Sequence, residues 1–519
     1  MPERVRESRL QSRVEAMRER PMSGTTDLRR LIGGLALCGV MAALGHGRAE
    51  GIVSALRSEA SGADTRKAAP PPTPEHKISG AEARELFRSV DEILKFASKE
   101  TGLPQHSRVK RRMVSRDEVV AYIEKHMEED DDSQRMQRNS LVLKKFGLLP
   151  RDFDLKTFLV AMLREQVAGY YDPKTKTVNL LNWVNADQQK PVLAHELTHA
   201  LQDQNFNLRK WMKAGDGKDL LTVENPTPAE LADDEAGEAR QAVVEGQATV
   251  ALIDYGLAPF GQSMTSSPKL VEAMREGMRV GTSDSPQFKS APLFLKEALT
   301  FPYSYGLDFV GQVVAKRGTA GAVDLFQNPP TTTRQIMEPA TYLAGEKLPP
   351  LLVPDFKSLF KDFEKIDVGG FGEFDTAMLV DQFAGVEAGA KIYPEWRGGY
   401  YFAVKPKANP ATPLGLLYVS RWSNAEKASE FAAIYAKSLA KRYQRADLVV
   451  QADGKPLGSA DLENLTASHN VTGSHIWNTE EGPVLIDVRG DTVVVAESFA
   501  DPLRFSKAVF AAMNGAGRK

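Results

Sequence analysis

The chain has 519 residues, with Lys+Arg 66 against Asp+Glu 68, a formal net charge of −2 and 42% hydrophobic residues. That length exceeds what one hydrophobic core supports, so two folded units plus tails are expected, and the charge balance gives no reason to expect a nucleic-acid partner. The single cysteine, Cys38, excludes an internal disulfide framework and a Cys-ligated zinc site. Any metal must be held by histidines and carboxylates.

Arg29 and Arg30 precede the apolar run LIGGLALCGVMAALG, residues 31–45. The run is short for a membrane span, and Gly47 and Ala49 have the spacing that signal peptidase prefers. Residues 1–49 therefore read as a targeting segment cleaved after Ala49. The protein is then exported, periplasmic or secreted. An uncleaved segment would anchor it in the envelope, and only through that anchor would it meet membrane. Leu37, before Cys38, argues against lipid attachment. Residues 50–78, with AAPPPTPEHK, read as a disordered linker.

From Ser79 the pattern turns helical. SGAEARELFRSVDEILKFASKE spaces Leu86, Val90, Ile93, Leu94 and Phe96 as a helix does and stops at Gly102 and Pro104. A second helix opens on the capping box Ser115-Arg116-Asp117-Glu118. The acidic run EDDD at 129–132 reads as a solvated face or loop, and helices follow through LVLKKFGLL and DLKTFLVAMLREQ. AGYYDPKTKTVNLLNW, residues 168–183, reads as a hairpin turning at Asp172-Pro173-Lys174. The next helix starts near Pro191, a favoured first helical residue. Residues 205–230 read as a long loop. Helix resumes at about Asp233, and further helices reach about residue 345, broken by TFPYSYG and NPPTTTRQIMEPATYL.

Composition shifts at VGGFGEF, near residue 370. Beyond it the reading is two strands (400–404 and 414–420), then a helix opened by the box Ser423-Asn424-Ala425-Glu426. The strands VLIDV and TVVVAESF and a last helix at 503–514 complete a ββαββα order. Trp396 and Trp422 read as core or interface residues, His469 and His475 as surface residues, and AKSLAKRYQR as a solvated face. The fold class is α+β: a mostly helical unit over 79–368 and a smaller C-terminal α+β unit over 369–519.

The chemistry concentrates in HELTHALQDQ, residues 195–204. Residues four apart share a helix face, so His195 and His199 can offer imidazole nitrogens to one ion. Glu196 projects beside them, placed to act as general base on a zinc-activated water. Position 205 is Asn, and no other histidine lies between His126 and His469. A nearby third ligand must therefore be a carboxylate. The following helix offers several, of which Glu245 in VVEGQAT stands out. A carboxylate among Val243, Val244, Ala248 and Val250 needs a partner, because unpaired buried charge is costly, and zinc would be one. Gly246 lets another backbone or a ligand come close.

HELTHALQDQ followed by VVEGQAT resembles the gluzincin metallopeptidases, the thermolysin-like zinc hydrolases. EQVAGYYDPKTKTVNLL, EGQAT, FPYSYG and PPTTTRQIMEPATY, in that order, also look like a family of exported bacterial proteins that carry HELTHALQDQ. The resemblance implies a zincin-like domain with a small edge sheet. His195, His199 and Glu245 would bind Zn2+, with Glu196 as general base. The YYDPKTKTVNLL segment would be the active-site edge strand, pairing its backbone with an extended peptide or protein substrate. Thr249 stands where thermolysin-like enzymes often carry an acid that orients a histidine, which leaves Asp203 and Asp234 as candidate orienting groups. With no spare histidine, the oxyanion would be steadied by Tyr303, Tyr305 or Arg240. The implied function is an exported zinc metallopeptidase. The alternative is a non-catalytic envelope protein that binds a partner around a structural or vestigial metal site.

Overall fold

The structure, a computed structural model, describes residues 77–129, 131–166, 169–213, 219–264, 286–451 and 471–515. The targeting segment, Cys38, nearly all of the linker, and His469 lie outside the described residues.

Helix α1 (Gly80–Thr101) has the Ser79–Glu82 capping box and ends where Gly102 turns left-handed at φ 72°. Its Leu86, Val90, Ile93, Leu94 and Ala97 pack on Leu193, Leu197 and Leu201 of the HELTH helix and on Val178 and Leu180 of a strand. The N-terminal segment is thus built into the scaffold beside the HELTH helix. Strand β1 (Lys110–Val114) follows, unforeseen from its sequence. KRRMV buries only Val114 fully, so no apolar alternation marks it. Ser115 and Glu118 exchange both capping hydrogen bonds before α2 (Arg116–Glu129). Helices α3 (Asp131–Phe146) and α4 (Leu155–Gln166) come next, so of the acidic run Glu129 ends α2 and Asp131 and Asp132 open α3.

The expected hairpin is present as β2 (Tyr170–Asp172) and β3 (Thr177–Leu181), antiparallel in register Tyr171↔Val178. Its sheet has the order β1-β3-β2, with β1 parallel to β3. Only β2 of the hairpin is therefore an edge, and the longer YYDPKTKTVNLL segment is not. The HELTH helix, α5 (Ala186–Phe206), starts before Pro191, because the Asn185 side chain accepts the Asp187 N–H and caps it there. Gln189 clips α5 to the sheet by bonding both the N–H and the carbonyl of Leu181 at 2.9 Å.

A short helix, Leu208–Trp211, occupies part of the expected loop. Helix α6 (Pro228–Leu257) begins ahead of Asp233, on a Thr227–Glu230 capping box with Pro228 in the first turn. Helix α7 (Leu293–Asp324) runs straight through TFPYSYG, where a break was expected. The interruption comes instead at Gly318, with φ 69° and ψ −175°. Tertiary packing overrides Pro302 here. A Cβ on Gly246 of α6 would fall on the Gly306 carbonyl of α7, and one on Gly306 would fall on the Ala242 carbonyl. The two helices touch backbone to backbone, and Glu245 and Tyr303 flank that contact. Gly246→Ala is expected to force them apart at a cost of about 1–3 kcal/mol, the usual range for overpacking. A lowered thermal midpoint in Gly246→Ala would check it.

Helix α8 (Thr333–Met337) carries the TTTRQ motif. Thr333 donates its N–H to Glu235 of α6 at 2.6 Å, and Arg334 pairs with Glu373 at 2.9 Å. That motif ties α6 to the helix that starts at Glu373, and Asp234 ties α6 to the C-terminal sheet by accepting the Gly370 N–H at 3.2 Å.

The C-terminal sheet has seven strands in the order β4-β5-β6-β10-β9-β8-β7. They are β4 (Phe363–Gly370), β5 (Trp396–Pro406), β6 (Gly415–Trp422), β7 (Ala446–Gln451), β8 (Gly473–Thr479), β9 (Gly482–Arg489) and β10 (Thr492–Glu497). All pairings are antiparallel. Three strands, β4, β7 and β8, add to the expected ββαββα order, and β4 begins before residue 369. Both faces are covered, which explains apolar runs without alternation such as YYFAV. Tyr400, Phe402 and Val404 face Phe356, Phe360 and the last helix, α11 (Pro502–Gly515). Tyr401 and Tyr418 face α9 (Glu373–Ala384), α10 (Ala425–Arg442) and Phe146 of α3.

Helix α10 is capped by Asn424, which accepts the Lys427 N–H, rather than by Ser423. Trp396 and Trp422 are buried, Trp422 against Phe431. His475, expected at the surface, is buried beside the Thr472 carbonyl at 2.8 Å. The lysine-rich end of α10 exposes Lys437 and Lys441 but buries Arg442 on Glu497 at 2.7 Å. Among the described residues no helix is long and apolar enough to cross a membrane.

Candidate metal centre

Helix α5 brings His195 and His199 to its face one turn apart, and the middle of α6 brings Glu245. His195 Nε2 lies 3.2 Å and His199 Nε2 3.3 Å from Glu245 Oε2, and the two Nε2 atoms are 2.9 Å apart. Three ligands each about 2.0–2.1 Å from one tetrahedral ion would sit roughly 3.3–3.4 Å from one another. The donor triangle therefore matches one ion of that size. The donors are imidazole nitrogen and carboxylate oxygen, a set that suits zinc. Exposure is 1% for His195, 9% for His199, 5% for Glu245 and 3% for Glu196.

Electrostatics follow from that burial. Burial pushes His195 down to about 4, aided by the charge of His199. Burial opposes the charged forms of His199 and Glu245 as well, but their attraction prevails. His199 rises to about 9 and Glu245 falls to about 2. The carboxylate thus stays ionised and holds positive charge against it, which is the role a divalent ion would fill. Burial pushes Glu196 up to about 7, against the pull of His199 and of the Tyr171 N–H. A carboxyl poised near neutrality can both take and return a proton.

Each residue of the QDQN stretch that ends the motif has a partner. Gln202 Oε1 accepts a hydrogen bond from His199 Nδ1–H at 2.9 Å, and its amide nitrogen donates to the Val244 carbonyl at 3.0 Å and to Gln247. It orients His199 and ties α5 to α6 beside Glu245. Asp203 accepts the Tyr171 hydroxyl at 2.9 Å and the Leu208 N–H at 3.1 Å. Gln204 accepts the His106 and Ser107 N–H groups, and Asn205 donates to the Pro104 carbonyl.

Gln202 therefore takes the orienting role expected of Asp203 or Asp234. It lies three residues after His199, on the same helical face. Asp234 sits at the sheet junction. Thr249 donates its hydroxyl to the Glu245 carbonyl of its own helix. The Tyr303 ring is buried 6.3 Å from the His195 ring, centroid to centroid. Tyr305 has its ring against Phe301 at 5.2 Å. Residues two apart on a helix point about 200° apart, so both tyrosines cannot face one centre. Arg240 donates to the Trp211 and Lys213 carbonyls and stacks over Trp211, which holds it to the loop after α5.

A second buried group, Glu235, Glu238 and Asp375, brings three carboxylates together at the sheet junction. Glu235 there accepts from Thr333, and Asp375 accepts the Gly372 N–H. Comparison with protein-family models, curated proteins and solved structures finds no match to this chain.

Proposed function

We propose that the chain is an exported zinc-dependent metallopeptidase of the gluzincin kind. The observation that carries this is the convergence of His195, His199 and Glu245 on one point, with Glu196 on the same helix turn. Among the described residues the group has three protein ligands, which is the count of a catalytic zinc site and one short of a closed structural site. The ion, when bound, supplies Lewis-acid chemistry, acidifying a water and polarising an amide carbonyl.

The chain's own residues supply the rest. Glu196 takes the proton of the attacking water on its carboxylate and delivers it to the departing amine nitrogen. Gln202 keeps the His199 ring in its ligating orientation. Tyr303, beside His195, is the group we assign to steady the carbonyl oxygen as it gains charge. A retained general base weighs against the rival reading of a non-catalytic envelope protein, because a structural site has no use for one.

Incubation of the purified chain with denatured casein tests the proposal. Cleavage that a zinc chelator abolishes and added zinc restores is the expected result. Zinc-loaded protein that leaves casein intact contradicts it, and release of a non-peptide amide product instead would change the substrate class.

A further inference from the structure

We infer that Tyr171 is a positioning residue for Glu196, acting as a strap that spans α5 from the general base to Asp203. The inference rests on the peptidase reading for its catalytic consequence, but the strap itself is a matter of geometry. Tyr171 sits in the middle of the edge strand β2. Its backbone N–H donates to Glu196 Oε2 at 2.7 Å, and its hydroxyl donates to Asp203 Oδ2 at 2.9 Å. Glu196 and Asp203 are seven residues apart on α5, two turns along one face. One residue is thus fixed to the helix at both ends.

Each anchor is itself held. Asp203 is fixed by the Leu208 N–H, and the Tyr171 ring packs on the core between α1 and α5. In an antiparallel pair, the Tyr171 N–H that reaches Glu196 points away from β3. The outward donor of the edge strand is therefore engaged by the base, and a substrate strand pairing there would compete for it. Only a side chain of tyrosine's length with a terminal hydroxyl closes the strap.

The test uses the purified full chain loaded with zinc. Tyr171→Phe removes one hydroxyl and is expected to lower kcat on casein about tenfold, the equivalent of one charge-assisted hydrogen bond, with KM within about twofold. Zinc content should not change. Asp203→Ala should match it. Asp203→Asn keeps one oxygen for the Leu208 N–H, and its amide nitrogen can donate to the Tyr171 hydroxyl oxygen, so it should stay within about twofold of wild type. An unchanged kcat in Tyr171→Phe, or a fall in kcat that tracks lost zinc, overturns the inference. Amide hydrogen exchange reads the strap without substrate: the Tyr171 amide should exchange about tenfold faster in Asp203→Ala. Equal exchange rates overturn the strap even if wild type proves inactive, whereas an inactive wild type with the expected exchange contrast refutes only the peptidase reading.

Discussion

Glu196→Gln is expected to lower casein hydrolysis by about 10²–10⁴-fold, the usual contribution of a positioned general base, while zinc stays bound. The substitution is nearly isosteric. The glutamine oxygen can still accept the Tyr171 N–H that Glu196 now accepts at 2.7 Å. It cannot take up a proton from water at neutral pH. None of the three ligands is altered, so zinc affinity should hold. The acid limb of the pH profile should reflect Glu196, whose carboxyl burial pushes up to about 7. Activity should rise as pH climbs through that range, because the base works only when ionised. Equal, measurable hydrolysis by wild type and Glu196→Gln would remove Glu196 from the mechanism, whereas no hydrolysis by either would favour the non-catalytic reading.

Glu245→Ala should weaken zinc binding by more than the roughly 100-fold that loss of an outer orienting partner costs, because a ligand itself is lost. Two imidazoles from one helix turn would remain, with no carboxylate to balance the ion's charge. The two Nε2 atoms, 2.9 Å apart, have Glu245 as their shared anionic neighbour. Glu245→Gln is the control for folding: it keeps the volume and one oxygen but removes the charge. A chelator competition assay compares the variants. Unchanged zinc affinity in Glu245→Ala would show that the third ligand lies elsewhere.

The centre was legible because its signals are local. His195, Glu196 and His199 follow from helical spacing, and Glu245 from a carboxylate set among valines and alanine. The partner of His199 was legible too, since Gln202 is three residues on, but an acid was sought in its place. Other features were hidden for physical reasons. Strand β1 is basic and gains its place by parallel pairing with β3, a long-range choice that leaves no alternation in KRRMV. The α7 helix passes through Pro302 because the close contact of Gly246 and Gly306 and the burial of Phe301 and Tyr303 fix it there. No local rule reports a contact that depends on another helix. Strand β8, GSHIWNT, begins on glycine and owes its register to β7 and β9. The strap from Tyr171 to Glu196 and Asp203 required knowing that β2 lies along α5.

Metal content of the purified, dialysed full chain, measured by inductively coupled plasma mass spectrometry, tests the central claim most directly. The three-ligand centre predicts about one zinc per chain in wild type and nearly none in Glu245→Ala. Wild-type protein that is folded yet holds no divalent metal, even after incubation with zinc, would contradict it.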